Sequence, residues 1–250
     1  MDNLIKAQAY INGHWINSSN GKSFDVINPA TGVPIGRVPD MERSDVTKAI
    51  RAAENAFEAW SSRTGKERAK ILRKWFESVV SSTESLARII TLESGKPLAE
   101  SRSEVAYGAS FIEWFAEEAK RIYGDTIPAT DKNKRIITIR QPVGVSAAIT
   151  PWNFPLAMIT RKASPALAAG CTMVIKPAEA TPLTALALAQ LAEEAEIPAG
   201  VFNIITSLNS SETGKEFCEN PTIRKLSFTG SKGTGRILAA QCAGTVKKLS

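Results

Sequence analysis

The 250-residue chain carries 43% hydrophobic and 22% charged residues, the balance of ordinary globular material, which argues against a disordered chain and fits one large domain, alone or with packed extensions. A formal charge of +6 and a pI near 9.3 invite a nucleic-acid reading. Lys and Arg are scattered singly among acids, however, with no run of about five or six, and a dinucleotide or a small acid explains the excess equally well.

Cys171, Cys218 and Cys242 show no CxxC spacing and His14 is the only histidine, which excludes a disulfide framework and a zinc site and suits a reducing compartment. Met1 to Trp15 mixes polar and charged residues where a secretory signal needs an apolar core, and no apolar run approaches the roughly 18 to 20 residues of a membrane span. A cytoplasmic protein with no membrane or nucleic-acid partner is expected.

Ala9 to Ile16 and Phe24 to Ile27 alternate apolar and polar residues around Asn-Gly turns, as short edge strands joined by hairpins do. From Ser44 onward Val46, Ile50, Ala53, Phe57 and Trp60 recur at helical spacing. Thr64 with Glu67 forms a capping box that opens a second helix through Ala69, Leu72, Phe76 and Val79. Gly95 and Pro97 mark a helix stop and a new start, launching a long helix through Val105, Ala109, Ile112, Ala116 and Ala119.

At Arg135 the character changes. Ile136 to Arg140 is a β-branched run with charged flanks, expected as an exposed hairpin over 135–142. Then strand and helix alternate: Val143 to Thr150, Thr172 to Lys176, Val201 to Thr206, Lys225 to Thr229 and Val246 to Ser250 are five strand candidates separated by helical segments. That rhythm predicts parallel βαβ units covered on both faces, with ligands collecting at the carboxyl ends of the strands. The chain thus divides into an N-terminal part of strands and a helical layer over 1–134, the hairpin, and a Rossmann-like α/β core with a five-stranded parallel sheet over 143–250.

The residues after each strand carry the chemistry. Thr150-Pro151-Trp152-Asn153-Phe154-Pro155 reads either as a rigid loop feeding a helix or as a site where Asn153 offers an N–H to a developing oxyanion. In Lys176-Pro177-Ala178-Glu179 the two charges form either a solvated pair or a ribose clamp. A carboxylate in that place repels a 2′-phosphate by about 4 kcal/mol for unit charges 4 Å apart at an effective dielectric near 20. Phe228-Thr229-Gly230-Ser231-Lys232-Gly233-Thr234-Gly235 opens a helix whose N–H groups suit a pyrophosphate. Its order is GxxGxG, so neither the GxGxxG fingerprint nor the P-loop is met, and on glycines alone it is equally a plain turn.

Pro151 to Pro155, Lys176 to Glu179 and Phe228 to Ser231, in this order and spacing, resemble the aldehyde dehydrogenase superfamily. Tyr10-Ile11-Asn12-Gly13, Asn28 to Gly32 and Glu93-Ser94-Gly95-Lys96-Pro97 are similar to its N-terminal segments. Phe111 to Glu118 with Ile122-Tyr123-Gly124, and Met158 to Lys162, resemble the succinate-semialdehyde branch. The resemblance implies oxidation of an aldehyde, here succinate semialdehyde, through a cysteine thiolate with hydride passing to nicotinamide. It implies Asn153 as oxyanion donor supported by Lys162, and Arg161 as reader of the substrate's distal carboxylate, although by itself Arg161 is an ordinary surface arginine.

Cofactor contacts are implied for Ile149, Thr150, Pro151, Trp152, Lys176, Ala178, Glu179, Phe228, Thr229, Gly230, Ser231 and Gly235. NAD is expected over NADP because of Glu179. A hairpin that joins subunits in relatives makes a homo-oligomer the expectation for a full-length member.

Two departures stand out. Ser207-Leu208-Asn209-Ser210-Ser211 replaces the glycine that many relatives carry soon after the third strand. The family's catalytic Leu-Glu-Leu-Gly-Gly segment would begin at Leu249 or beyond, and its nucleophilic cysteine further on, so the chain is expected to be the cofactor-binding half. The three cysteines present are expected to be structural. A non-catalytic dinucleotide-binding fragment is the alternative.

Overall fold

The computed structural model describes residues 4–250; Met1, Asp2 and Asn3, the start of the stretch read for a leader, lie outside it. In chain order the elements are β1 (Ala9–Ile11), β2 (His14–Ile16), β3 (Ser23–Ile27), β4 (Pro34–Pro39), α1 (Arg43–Ser61), α2 (Gly65–Ser81), α3 (Thr83–Ser94) and α4 (Leu98–Glu118). There follow β5 (Thr126–Ile127), β6 (Ile136–Ile137), β7 (Val145–Ile149), α5 (Ala157–Ala168), β8 (Thr172–Lys176), α6 (Pro182–Glu194), β9 (Phe202–Ile204), α7 (Ser210–Glu219), β10 (Ile223–Phe228), α8 (Lys232–Cys242) and β11 (Lys248–Leu249).

The main sheet runs in the order β11-β10-β7-β8-β9-β1-β2. Neighbours among β7 to β11 pair in parallel, as the five strand candidates imply. The sheet is nevertheless seven-stranded rather than five-stranded, because β1 joins β9 antiparallel through Tyr10 and Ile204. The Asn12-Gly13 turn, with φ of 54° and 74°, closes the β1–β2 hairpin as the Asn-Gly signal requires. Of that hairpin only β2 is an edge strand; all three residues of β1 are buried.

The helical layer forms as its periodicity dictates. Val46, Ile50, Ala53 and Trp60 of α1 are buried, and the Thr64–Glu67 capping box is present. What spacing did not separate is the break at Ser82 between α2 and α3. The exposed arm also differs from expectation: its paired strands are Thr126–Ile127 and Ile136–Ile137, so it opens upstream of Arg135. Ile137 and Ile139 remain 69% and 74% exposed.

Order β11-β10-β7-β8-β9 places a reversal of winding between β7 and β10, where successive helices pass to opposite faces and leave a crevice at the carboxyl edge. Asn153, Glu179 and Gly230 follow β7, β8 and β10 respectively. Since these three strands are adjacent and parallel, the three loops emerge side by side on one edge of the sheet.

Candidate active site

Direct hydrogen bonds stitch the three strand ends together. The Thr150 N–H donates to the Lys176 carbonyl at 3.2 Å, and the Thr229 N–H donates to the Ile149 carbonyl at 3.2 Å. The Thr150 hydroxyl is buried at this junction and has no hydrogen-bond partner among the described residues. Such groups are uncommon, because an unsatisfied buried hydroxyl costs about 1–3 kcal/mol.

After β7, Trp152 is 60% exposed and Asn153 is exposed, so the loop leaves its amide and indole open to solvent rather than burying them. Burial pushes the Lys162 ammonium, on α5, down to about 8, and the neighbouring Arg161 and Lys225 add to the shift. Its Nζ reaches the Thr229 hydroxyl at 2.7 Å. Arg161 is exposed, with its guanidinium 5.7 Å from the centre of the Phe111 ring. Both residues line a groove of about 720 Å³, together with Met158, Ser146, Lys225 and Thr229. This groove lies between α5 and β10, so on that face β10 is not covered as the both-faces expectation required. Trp152, Asn153, Glu179 and Ser231 do not line it; they belong to the adjoining open edge.

After β8, the Lys176 side chain is 2% exposed and Glu179 51%. Their ion pair spans 3.2 Å, and Nζ also donates to the Pro177 carbonyl at 3.2 Å. Burial would raise the Glu179 carboxyl, but its own backbone N–H and Lys176 outweigh that and hold it below the usual range. Ser210, the first residue of α7, reaches Glu179 Oε2 at 3.4 Å.

After β10, Ser231 caps α8 by accepting the Thr234 N–H at 3.2 Å. Gly230 is small for an internal reason: a Cβ there would fall 2.5 Å from Phe228 Cζ. Phe228 is half-buried, and a Cβ on Gly235 would also come 3.4 Å from its ring.

Two buried acids near this edge have roles that the sequence does not reveal: Glu104 is not singled out by it, and Glu93 is noted only within the Glu93 to Pro97 segment. Glu104 of α4 is 2% exposed and accepts the N–H groups of Leu156 and Ala157 at 2.9 and 3.2 Å. Glu93 of α3, equally buried, accepts those of Leu183 and Thr184 at 2.7 and 3.0 Å. Each glutamate side chain accepts from orphan donors at the start of a helix, α5 and α6 respectively. The signal that could have found them is an acid on the buried stripe: Glu104 shares a face with Gly108 and Ile112, and Glu93 with Ile89 and Ile90. Of the helices after β7, β8 and β10, only α8 has no buried glutamate at its start.

The cysteines are free and buried. Burial, aided by the neighbouring Cys242, pushes the Cys218 thiol up to about 12, which suppresses thiolate character. No helix among the described residues is long and apolar enough to cross a membrane, and no cluster of His, Cys, Asp and Glu among them suits a metal.

The fold is a doubly wound α/β domain whose linked strand ends open on a crevice at the carboxyl edge of the sheet. The model of the aldehyde dehydrogenase family matches residues 15–250, and the chain belongs to that family. It is 58% identical over 247 residues to a glutarate-semialdehyde dehydrogenase of Pseudomonas aeruginosa, covering 99% of this chain and 51% of that one. It is 58% identical over 248 residues to the succinate-semialdehyde dehydrogenase [NADP(+)] of Escherichia coli, again over 99% and 51%. An aldehyde dehydrogenase structure from Brucella melitensis superposes with a TM-score of 0.99 at 58% identity, covering 100% of this chain and 52% of that one. The chain spans about half the length of the curated relatives it matches.

Proposed function

We propose that this chain is the cofactor-binding half of an enzyme that oxidises an acid aldehyde, succinate semialdehyde or its one-carbon-longer homologue glutarate semialdehyde, to the dicarboxylic acid. The observation that carries this reading is the adjacency of the β7, β8 and β10 ends, which gathers Asn153, Glu179 and Gly230 on one edge. The residues fit a dinucleotide. Thr150 offers an unpartnered buried hydroxyl, α8 offers a helix start free of carboxylate, and Glu179 offers a half-exposed carboxylate anchored by Lys176.

In this reading Trp152 and Ser231 flank the pyrophosphate, Lys176 and Glu179 hold the adenosine ribose, and Ile149, Pro151, Ala178, Thr229 and Gly235 shape the walls. The nicotinamide, when bound, supplies the hydride acceptor. Asn153 donates its side-chain amide N–H to the oxygen on which negative charge develops as the aldehyde carbonyl is attacked. Lys162, held by Thr229, keeps positive charge close to that site. Arg161 binds the substrate's distal carboxylate by paired hydrogen bonds.

Glu179 favours NAD, because a 2′-phosphate would sit against a carboxylate. Buried, free thiols suit a cytoplasmic setting. The arm at Ile137 and Ile139 suits pairing with another subunit of a full-length homo-oligomer.

In a chain that carries both halves, Arg161→Ala should raise KM for acid aldehydes by about tenfold or more, the scale of a lost charge-assisted bond, while KM for neutral aldehydes holds. Equal effects on both would remove Arg161 from the substrate site.

A further inference from the structure

We propose that Lys96 and Glu104 are positioning residues that jointly hold the Asn153 loop, an inference that rests on the reading of Asn153 as oxyanion donor. Lys96 sits in the short turn between α3 and α4, fixed by Gly95 at φ 74° and by Pro97. Its Nζ does three things at once. It pairs with the Glu104 carboxylate, donates to the Asn153 carbonyl at 2.8 Å, and stands 4.0 Å from the centre of the Phe154 ring. Glu104 then takes the N–H groups of Leu156 and Ala157. One ion pair therefore grips the loop at both ends, at the carbonyl of Asn153 and at the first turn of α5.

The pair is almost wholly removed from water, with side-chain exposures of 13% and 1%. Apolar packing of the same volume would stabilise such a place as well or better. What charge adds is direction, since an ammonium orients a carbonyl and a carboxylate orients two N–H groups. Fixing the Asn153 carbonyl restrains the peptide plane that follows it, and with it the backbone from which the amide side chain projects. Close approach of α4 makes this reach possible: a Cβ on Gly108 would come within 3.2 Å of Ala157 Cα.

The test is amide exchange and ¹⁵N NMR on this chain with Lys96→Met, Lys96→Arg and Glu104→Gln. Lys96→Met should speed exchange at Leu156 and Ala157 by about tenfold, the scale of one charge-assisted hydrogen bond, and should shift the Asn153 side-chain amide resonances. Leu183 and Thr184, held by Glu93 in the same helical layer, should exchange as before. Lys96→Arg should restore both the rates and the Asn153 resonances. Should Lys96→Met not fold, Glu104→Gln, which keeps the volume, is read in the same way.

Acceleration at Leu183 as large as at Leu156, or unmoved Asn153 resonances, would reduce the pair to general stabilisation and overturn the proposal. A failed oxyanion role would show elsewhere, as unchanged kcat for Asn153→Ala in a catalytically complete chain, so the two failures are separable.

Discussion

Lys162 Nζ donates a 2.7 Å hydrogen bond to the Thr229 hydroxyl, so the helix after the first parallel strand is tied to the loop after the fourth, across the point where the sheet reverses its winding. The bond keeps an ammonium in a half-buried place where burial and two cationic neighbours lower its pKa to about 8. A lysine depressed from 10.5 stabilises the fold most above the unfolded value, and that contribution is lost as pH falls through the folded one. Between pH 8 and 10.5 the unfolded chain binds the extra proton, so stability should rise with pH. Relative to Lys162→Met, the wild-type chain should gain stability across that window in urea titrations; parallel curves would show that Lys162 titrates normally.

Glu179 should set cofactor choice. Glu179→Ser removes the carboxylate but not the Lys176 ammonium behind it, so NADP affinity should rise relative to NAD by about tenfold or more. This is well below the unscreened Coulomb limit because Glu179 is half exposed. Competitive binding of the two dinucleotides measures the ratio, and an unmoved ratio would remove Glu179 from the ribose site.

Glu93 titrates in the opposite sense to Lys162. Burial pushes its carboxyl up to about 8, against hydrogen bonds from the start of α6 that favour the charged form. A raised carboxyl stabilises fully below the ordinary value of 4.5, and that stability is lost as pH rises through 8. Glu93→Gln should therefore gain on the wild type from pH 4.5 to 8 in thermal melts. A gap that stays constant with pH would mean that the helix N–H groups keep the carboxylate ionised throughout.

Gly108 and Gly233 form a contrasting pair. Alanine at 108 would be driven into Leu156 and Ala157 and should cost about 1–3 kcal/mol in denaturant unfolding. At 233, where the nearest heavy atom to a Cβ is Ser231 Oγ at 3.9 Å, alanine should be neutral or stabilise α8 by up to about 1 kcal/mol. Equal costs would contradict the account of α4–α5 packing.

Local signals carried much of the fold. Thr172–Lys176 is a buried β-branched run bounded by turns, and its strand ends match the reading. Asn12-Gly13 announces a hairpin, and Thr64 with Glu67 announces a helix start. What escaped depends on partners remote in sequence. Nothing local tells β1 to pair with β9, or Thr126–Ile127 to supply the other half of the arm. Lys96 drew notice as part of a familiar segment, yet its role needs Glu104 and Asn153, brought to it by helix packing. The Gly230 loop was read for ligand approach, whereas its lack of a side chain also answers to the Phe228 ring beneath it.

Calorimetric titration of the chain with NAD tests most directly whether these strand ends form one dinucleotide site. One saturable binding event is expected, weakened when Glu179 or Thr150 is replaced by alanine and indifferent to Arg161→Ala. No binding by the folded chain, or binding that ignores both Glu179 and Thr150, would contradict the site described above.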